Sequence, residues 1–127
     1  MKIRVLLADD HEMIRDGLRG LFDQHPHLEL VGESTNGHET LALAAELLPD
    51  VVVMDISMPG LDGPDAARQL LQRHPQMRVI ALTMHTDRYF VDKMRAAGAH
   101  GYIPKEDAYD SLVAAIETVF AGGTHYP

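Results

Sequence analysis

The 127-residue chain has no cysteine and no tryptophan, and its aromatic residues are four tyrosines and three phenylalanines. Without cysteine there can be no disulfide staple, no thiolate zinc site and no cysteine nucleophile, and the composition suits a reducing compartment. Long apolar runs are also missing. The opening Met1-Lys2-Ile3-Arg4 leads into a stretch of only about six apolar residues, too short for a signal-peptide core and far too short to span a bilayer. A cytoplasmic location without membrane association is therefore expected. Positive charge is scarce: eleven Lys and Arg against nineteen Asp and Glu give a net charge of -8. Such a balance repels a phosphate backbone, so these residues alone are not expected to bind DNA.

What remains is an ordinary globular composition, 46% hydrophobic and 24% charged, at the size of a single domain. A chain of this length buries roughly two-thirds of the surface it exposes when unfolded, enough for a core without covalent or metal staples. Hydrophobic periodicity alternates between buried-strand runs and helical stripes. The runs are Ile3–Ala8, Leu28–Gly32, Val51–Met54, Val79–Leu82 and Gly101–Ile103, several of them rich in β-branched residues.

Between and after the runs, apolar residues recur every three or four positions. Ile14, Leu18, Leu21 and Phe22 form one stripe; Leu41, Ala44, Ala45 and Leu48 a second; Ala67, Leu70 and Leu71 a third; Phe90, Met94 and Ala97 a fourth; and Leu112, Ile116, Val119 and Phe120 a fifth. Asn36-Gly37-His38-Glu39 has the spacing of a capping box, Pro49 and Pro75 punctuate helix exits, and Gly98 and Gly122-Gly123 are stop signals. Five β-α units predict an α/β fold. The expected form is a doubly wound, five-stranded parallel sheet with five helices and the strand order 2-1-3-4-5.

In such a sheet, ligands bind at the carboxyl ends of the strands where the strand order reverses, here between the first and third strands. Asp9 and Asp10 end the first strand and Asp55 the third, on neighbours spaced ~4.8 Å apart. Singly, each aspartate could cap a helix or close a turn. Together they repel one another unless a cation or a proton intervenes, and a few carboxylates with water completing the shell suit Mg²⁺ better than Ca²⁺. Thr83 ends the fourth strand and Lys105 follows the fifth, adding a hydroxyl and a point charge to the same edge. Alone, Thr83 could be a helix cap and Lys105 a solvated surface charge. A carboxylate nucleophile beside Mg²⁺, with a lysine and a hydroxyl at hand, is the equipment for phosphoryl transfer, and Asp55, in the middle of the edge, is the expected acceptor.

These segments resemble the receiver domains of two-component response regulators over residues 1 to about 121. The resemblance is carried by Leu7-Ala8-Asp9-Asp10-His11, Met54-Asp55-Ile56-Ser57-Met58-Pro59-Gly60-Leu61-Asp62-Gly63, Leu82-Thr83 and Gly101-Tyr102-Ile103-Pro104-Lys105-Glu106. It implies a flavodoxin-like fold and phosphorylation of Asp55 by a sensor histidine kinase. It further implies Mg²⁺ held by Asp10, Asp55 and the backbone carbonyl of Ser57, with Asp9 acting through water. Thr83 and Tyr102 would be the switch pair, Thr83 moving toward the phosphoryl group as Tyr102 turns inward. Acyl phosphates should also phosphorylate the chain, and slow self-hydrolysis should reset it. Many receivers place proline directly after the lysine, whereas here Pro104 precedes Lys105, and the Ile103–Pro104 bond could be cis.

The Asp-Asp-His opening and the ending Phe120–Pro127 most resemble the NarL/FixJ/LuxR-like subfamily, whose receivers precede a helix-turn-helix domain. The expectation is a receiver over 1–121, with 122–127 starting a linker to a DNA-binding domain outside this chain and phosphorylation favouring a homodimer. The rival is a stand-alone regulator acting by protein contacts. An aspartyl-phosphate hydrolase is disfavoured because Ser57 occupies the position where a second aspartate would be wanted. The eight histidines, His11, His25, His27, His38, His74, His85, His100 and His125, are too scattered for a zinc site, although His11 adjoins the acidic residues and could tune them. Two aspartates where a glycine-rich cradle would be needed disfavour a nucleotide or flavin site.

Overall fold

The structure, a computed structural model, describes residues 2–84 and 88–126; His85 and Pro127 lie outside them. The chain order is β1 (Ile3–Ala8), α1 (Glu12–Asp23), β2 (Leu28–Ser34), α2 (Gly37–Leu47), β3 (Val51–Asp55), α3 (Gly63–Arg73), β4 (Arg78–Thr83), α4 (Arg88–Ala96), β5 (Gly101–Pro104) and α5 (Ala108–Phe120). All strand pairs are parallel, in the order β2-β1-β3-β4-β5, as the alternation predicts.

Side chains alternate across a strand, and here the two sets feed two cores. Leu6, Ala8, Val52, Met54, Val79, Ala81 and Tyr102 pack with Leu41, Ala67, Leu70 and Met94 from α2, α3 and α4. Val5, Leu7, Val51, Val53, Ile80, Leu82 and Ile103 pack with Leu18, Phe22, Leu112 and Ile116 from α1 and α5. This division explains why the inner strands read as continuous apolar runs: both of their faces are covered.

Three stripe residues depart from expectation: Leu48, Ala45 and Phe120, the last of which closes α5 at 37% exposure. Leu48 is not on the buried face of α2; it lies just past the helix in a left-handed conformation (φ 49°) and is 55% exposed. Its carbonyl and that of Leu47 accept from the Arg4 guanidinium at 2.9 and 2.7 Å, so the αL turn presents carbonyls to a cation from β1. Ala45 is likewise exposed, and Leu41 and Ala44 carry the helix contact. The capping signal holds in modified form. Asn36 accepts from the Glu39 N–H at 2.8 Å, while the Glu39 carboxylate accepts from Thr35, one residue earlier than a capping box requires.

Of the residues expected to open a linker, His125 lies on the sheet edge. The His125 carbonyl accepts from the Tyr102 N–H at 2.8 Å and the His125 N–H donates to His100 at 2.9 Å, a parallel bridge outside β5. Tyr126 packs against the α2–α4 core, donates its hydroxyl to the Ala99 carbonyl, and has the Arg95 guanidinium 4.1 Å from its ring centre. There is no cis peptide bond among the described residues, so Ile103–Pro104 is trans. None of the described helices is long and apolar enough to cross a membrane.

Candidate functional site

Register places the acidic residues before any side-chain detail is needed. β1 and β3 pair as Val5↔Val51 through Ala8↔Met54, so one more step sets Asp9 beside Asp55. Both aspartates continue the parity of Val5, Leu7, Val51 and Val53, toward α1 and α5. β4 and β5 pair as Ile80↔Gly101 through Thr83↔Pro104, which puts Lys105 one step past the sheet, on the parity of Ile103. Thr83 and Tyr102 share the opposite parity, with Val79 and Ala81, toward α4. The strand ends thus sort the candidate residues into a charged group over one face and a switch pair over the other.

The turn after Asp55 is held by short-range geometry. Asp62 caps α3 by accepting from the Asp65 N–H at 2.9 Å, with Pro64 in the first turn. Gly63 is packed so closely on Ile56 that a Cβ there would collide with the Ile56 Cα. Only glycine lets α3 start this near the strand, and this keeps the β3–α3 turn folded back against the carboxylate.

Asp9 and Asp55 are buried, at 0% and 1% exposure, and so is Lys105 at 6%; Lys105 is therefore not a solvated surface charge. Its ammonium lies 2.9 Å from Asp9 Oδ2 and 2.9 Å from Asp55 Oδ2. The other Asp55 oxygen accepts from the Ser57 N–H at 3.0 Å. Burial pushes the Asp55 carboxyl above its usual range; the Ser57 N–H and the Lys105 ammonium pull it back, and the neighbouring Asp9 charge pushes it further up. Asp9 Oδ2 is buried with no hydrogen-bond partner, the Lys105 contact being one of charge. Arg15 donates to the Asp9 carbonyl at 2.5 Å and pairs with Glu33 at 3.4 Å, tying α1 to the same corner.

Asp10 is part-exposed and reaches the cluster through His11, whose Nδ1 lies 3.2 Å from Asp10 Oδ1. Ligand atoms of Asp9, Asp10, His11 and Asp55 all fall within 4.8 Å of one another, the one such grouping of potential metal ligands among the described residues. His25, His27, His38, His74, His100 and His125 lie outside it. The sequence reading marks every acidic member but treats His11 only as a neighbour; the signal it could have used is a histidine in direct succession to two convergent aspartates. Arg15 has no sequence signal apart from its place on the first turn of α1.

Thr83 is fully buried at the end of β4, and Tyr102, on the edge strand, is 2% exposed. Tyr102 already faces inward in this structure, and its backbone N–H is the group bonded to the tail.

Three carboxylates against one lysine, with one buried carboxylate oxygen reached by no hydrogen bond, fit a hard divalent cation: oxygen donors dominate, and added positive charge would relieve the repulsion among them.

Residues 5–117 match the profile of the response regulator receiver domain. The transcriptional regulatory protein MctR of Rhizobium johnstonii is 42% identical over 125 residues, covering 98% of this chain and 58% of MctR. Response regulator GacA of Pseudomonas viridiflava is 42% identical over 120 residues, 94% of this chain and 56% of GacA; the chain thus spans little more than half the length of these relatives. Among solved structures, a LuxR-family two-component response regulator from Aurantimonas sp. SI85-9A1 superposes with a TM-score of 0.93 at 37% identity, covering 98% of this chain and 89% of that one. A structure of two RcsB dimers bound to two parallel DNAs gives 0.91 at 25% identity, covering all of this chain and 65% of that one.

Proposed function

Because the chain belongs to the response regulator receiver domains, of the LuxR and NarL type, we propose that it is a phosphorylatable switch whose acceptor is Asp55. The observation that carries this reading is the Asp55 carboxylate at the end of the central strand, buried and held at one oxygen by the Ser57 N–H and at the other by the Lys105 ammonium. The donor is the phosphohistidine of a sensor histidine kinase, or a small acyl phosphate. An Asp55 oxygen attacks phosphorus, the bond from phosphorus to the donor breaks, and an acyl phosphate forms on Asp55. Lys105, within reach of the same oxygens, spreads the negative charge that accumulates on the transferring group. Asp10, Asp55 and the Ser57 backbone carbonyl would hold Mg²⁺, with Asp9 contributing through water. When bound, the ion supplies neutralising charge to the phosphoryl oxygens.

Phosphorylation gives Thr83 a new hydrogen-bond acceptor, and Thr83 and Tyr102 share the face against α4, so the modified state favours one arrangement of α4, β5 and α5. The output is transcriptional, through a homodimer and a DNA-binding region that lies outside this chain, which is itself too acidic to grip a duplex. The protein is a cytoplasmic phosphoacceptor with slow self-dephosphorylation rather than a hydrolase, for Ser57 stands where a hydrolase of this kind needs an acid. Incubation with acetyl phosphate and Mg²⁺ is expected to add one phosphoryl mass. Uptake at unchanged yield by Asp55→Asn, or without Mg²⁺, would overturn the assignment.

A further inference from the structure

We propose that His11 is a ligand of the divalent cation, a nitrogen donor in an otherwise oxygen-only pocket, and that it shifts the pocket's preference from Mg²⁺ toward ions that favour imidazole. The inference rests on the reading of the acidic cluster as a cation site given above, and goes beyond it in the identity of the ligands and of the ion.

His11 is the residue before α1, in extended conformation (φ -93°, ψ 109°), and its side chain makes no capping hydrogen bond to the helix. The usual reason for a polar residue at that position is therefore missing. Its ring turns into the pocket instead: Nδ1 lies 2.9 Å from Asp9 Oδ1, 3.2 Å from Asp10 Oδ1 and 3.6 Å from Asp55 Oδ2. The backbone N–H of the same residue donates to Asp9 Oδ1 at 2.8 Å, which fixes the turn that aims the ring.

Lys105 Nζ is 2.8 Å from Nδ1. Imidazole binds metals through a ring nitrogen, and Nδ1 is the ring nitrogen that faces both the carboxylates and the lysine. The ring nitrogen and the Asp9 and Asp55 carboxylates share a single lysine, Asp10 adds a third carboxylate beside the ring, and Asp9 Oδ2 still accepts no hydrogen bond. The surplus of electron pairs over positive charge is what a cation removes. The spacing is of the right order: adjacent ligands of an octahedral ion with bonds near 2.1 Å lie about 3 Å apart, and Nδ1 lies 3.2 Å from Asp10 Oδ1 and 3.6 Å from Asp55 Oδ2.

Oxygen donors alone select hard ions such as Mg²⁺, while an imidazole raises affinity in the order Mn²⁺, Co²⁺, Ni²⁺. The ring is about half exposed, at 54%, so it can be replaced without opening the core. Calorimetric titration of the whole chain with Mg²⁺ and with Co²⁺, on the wild type, His11→Phe and His11→Asn, tests the idea. Loss of the ring is expected to weaken Co²⁺ binding by about tenfold or more while Mg²⁺ binding stays within about twofold. The Co²⁺-loaded wild type should also show a strongly shifted, exchangeable imidazole N–H proton by NMR that is absent from His11→Phe. A Co²⁺-to-Mg²⁺ affinity ratio unchanged in both variants, or persistence of that resonance, overturns the inference and leaves the acidic site standing. Mg²⁺ binding indifferent to Asp10→Asn overturns the site and the inference with it.

Discussion

Asp55 is placed where ionisation is unfavourable, and its chemistry and its cost to the fold have one origin. Burial and the charge of Asp9 raise its folded-state carboxyl pKa above the ordinary value, against the opposing pull of the Ser57 N–H and Lys105. A carboxyl whose pKa is raised on folding holds its proton more tightly in the native state than in the unfolded one. Its contribution to stability is therefore best below the ordinary value of 3.8 and declines as pH rises from that value toward the raised one. Asp55→Asn should accordingly stabilise the domain at pH 7, by roughly 1–3 kcal/mol if the buried charge is the dominant cost, because Asn still accepts from Ser57 and Asp9 retains its contact with Lys105. The advantage should shrink as pH falls toward the ordinary carboxylate range. Urea denaturation at pH 7 and near pH 4 measures both; a variant less stable than wild type at pH 7 would mean that the Lys105–Asp55 pair outweighs burial.

At the scale of elements, the edge of β5 carries the least anticipated arrangement. An edge strand exposes unpaired backbone groups, and here the Tyr102 N–H is taken by the His125 carbonyl, while Tyr126 anchors the tail against the α2–α4 core. The tail thus touches the backbone of one of the two residues assigned to the switch. Tyr126→Ala should release it, so that the Tyr102 and His125 amides exchange at least about tenfold faster while central-strand amides such as Val53 keep their protection. Unaltered protection at Tyr102 would show that backbone pairing alone holds the segment. This element was not legible in the sequence. Gly122-Gly123-Thr124-His125-Tyr126 has no strand alternation, and its pairing depends on a partner edge distant along the chain. The five strands and five helices were legible because burial on two faces writes itself as apolar runs, and one-face burial as stripes of period near 3.6. The acidic site was legible for a topological reason: once strand order is assigned, Asp9, Asp55 and Lys105 follow from their position at strand ends. The place of His11 was not, because the direction of a side chain at a helix start is set by packing and charge rather than by spacing. Leu48 failed as a stripe residue for a comparable reason, since a left-handed turn took it off the helix just before the apolar face would have reclaimed it.

Considered whole, the molecule packs helices on both faces of one sheet, with its electrostatic problem concentrated at one end. A net charge of -8 adds a diffuse repulsion to the local one among Asp9, Asp10 and Asp55, and both fall when a divalent cation binds the folded state alone. Binding of that kind stabilises by RT ln(1 + [L]/Kd), about 1.4 kcal/mol at ten times Kd, which for a domain of this size corresponds to a rise in Tm of about 3–6 °C. Asp10→Asn removes one carboxylate while leaving the buried Asp9–Lys105–Asp55 contacts in place. It should raise the melting temperature in the absence of metal and abolish most of the response to Mg²⁺. A scan of both proteins with Mg²⁺ and, as the control for general screening, with monovalent salt of matched ionic strength separates the two effects, because screening acts on the diffuse charge of either protein. Equal shifts from the two salts, or an Mg²⁺ response undiminished in the variant, would mean that the cluster holds no ion of its own and that Lys105 alone balances it.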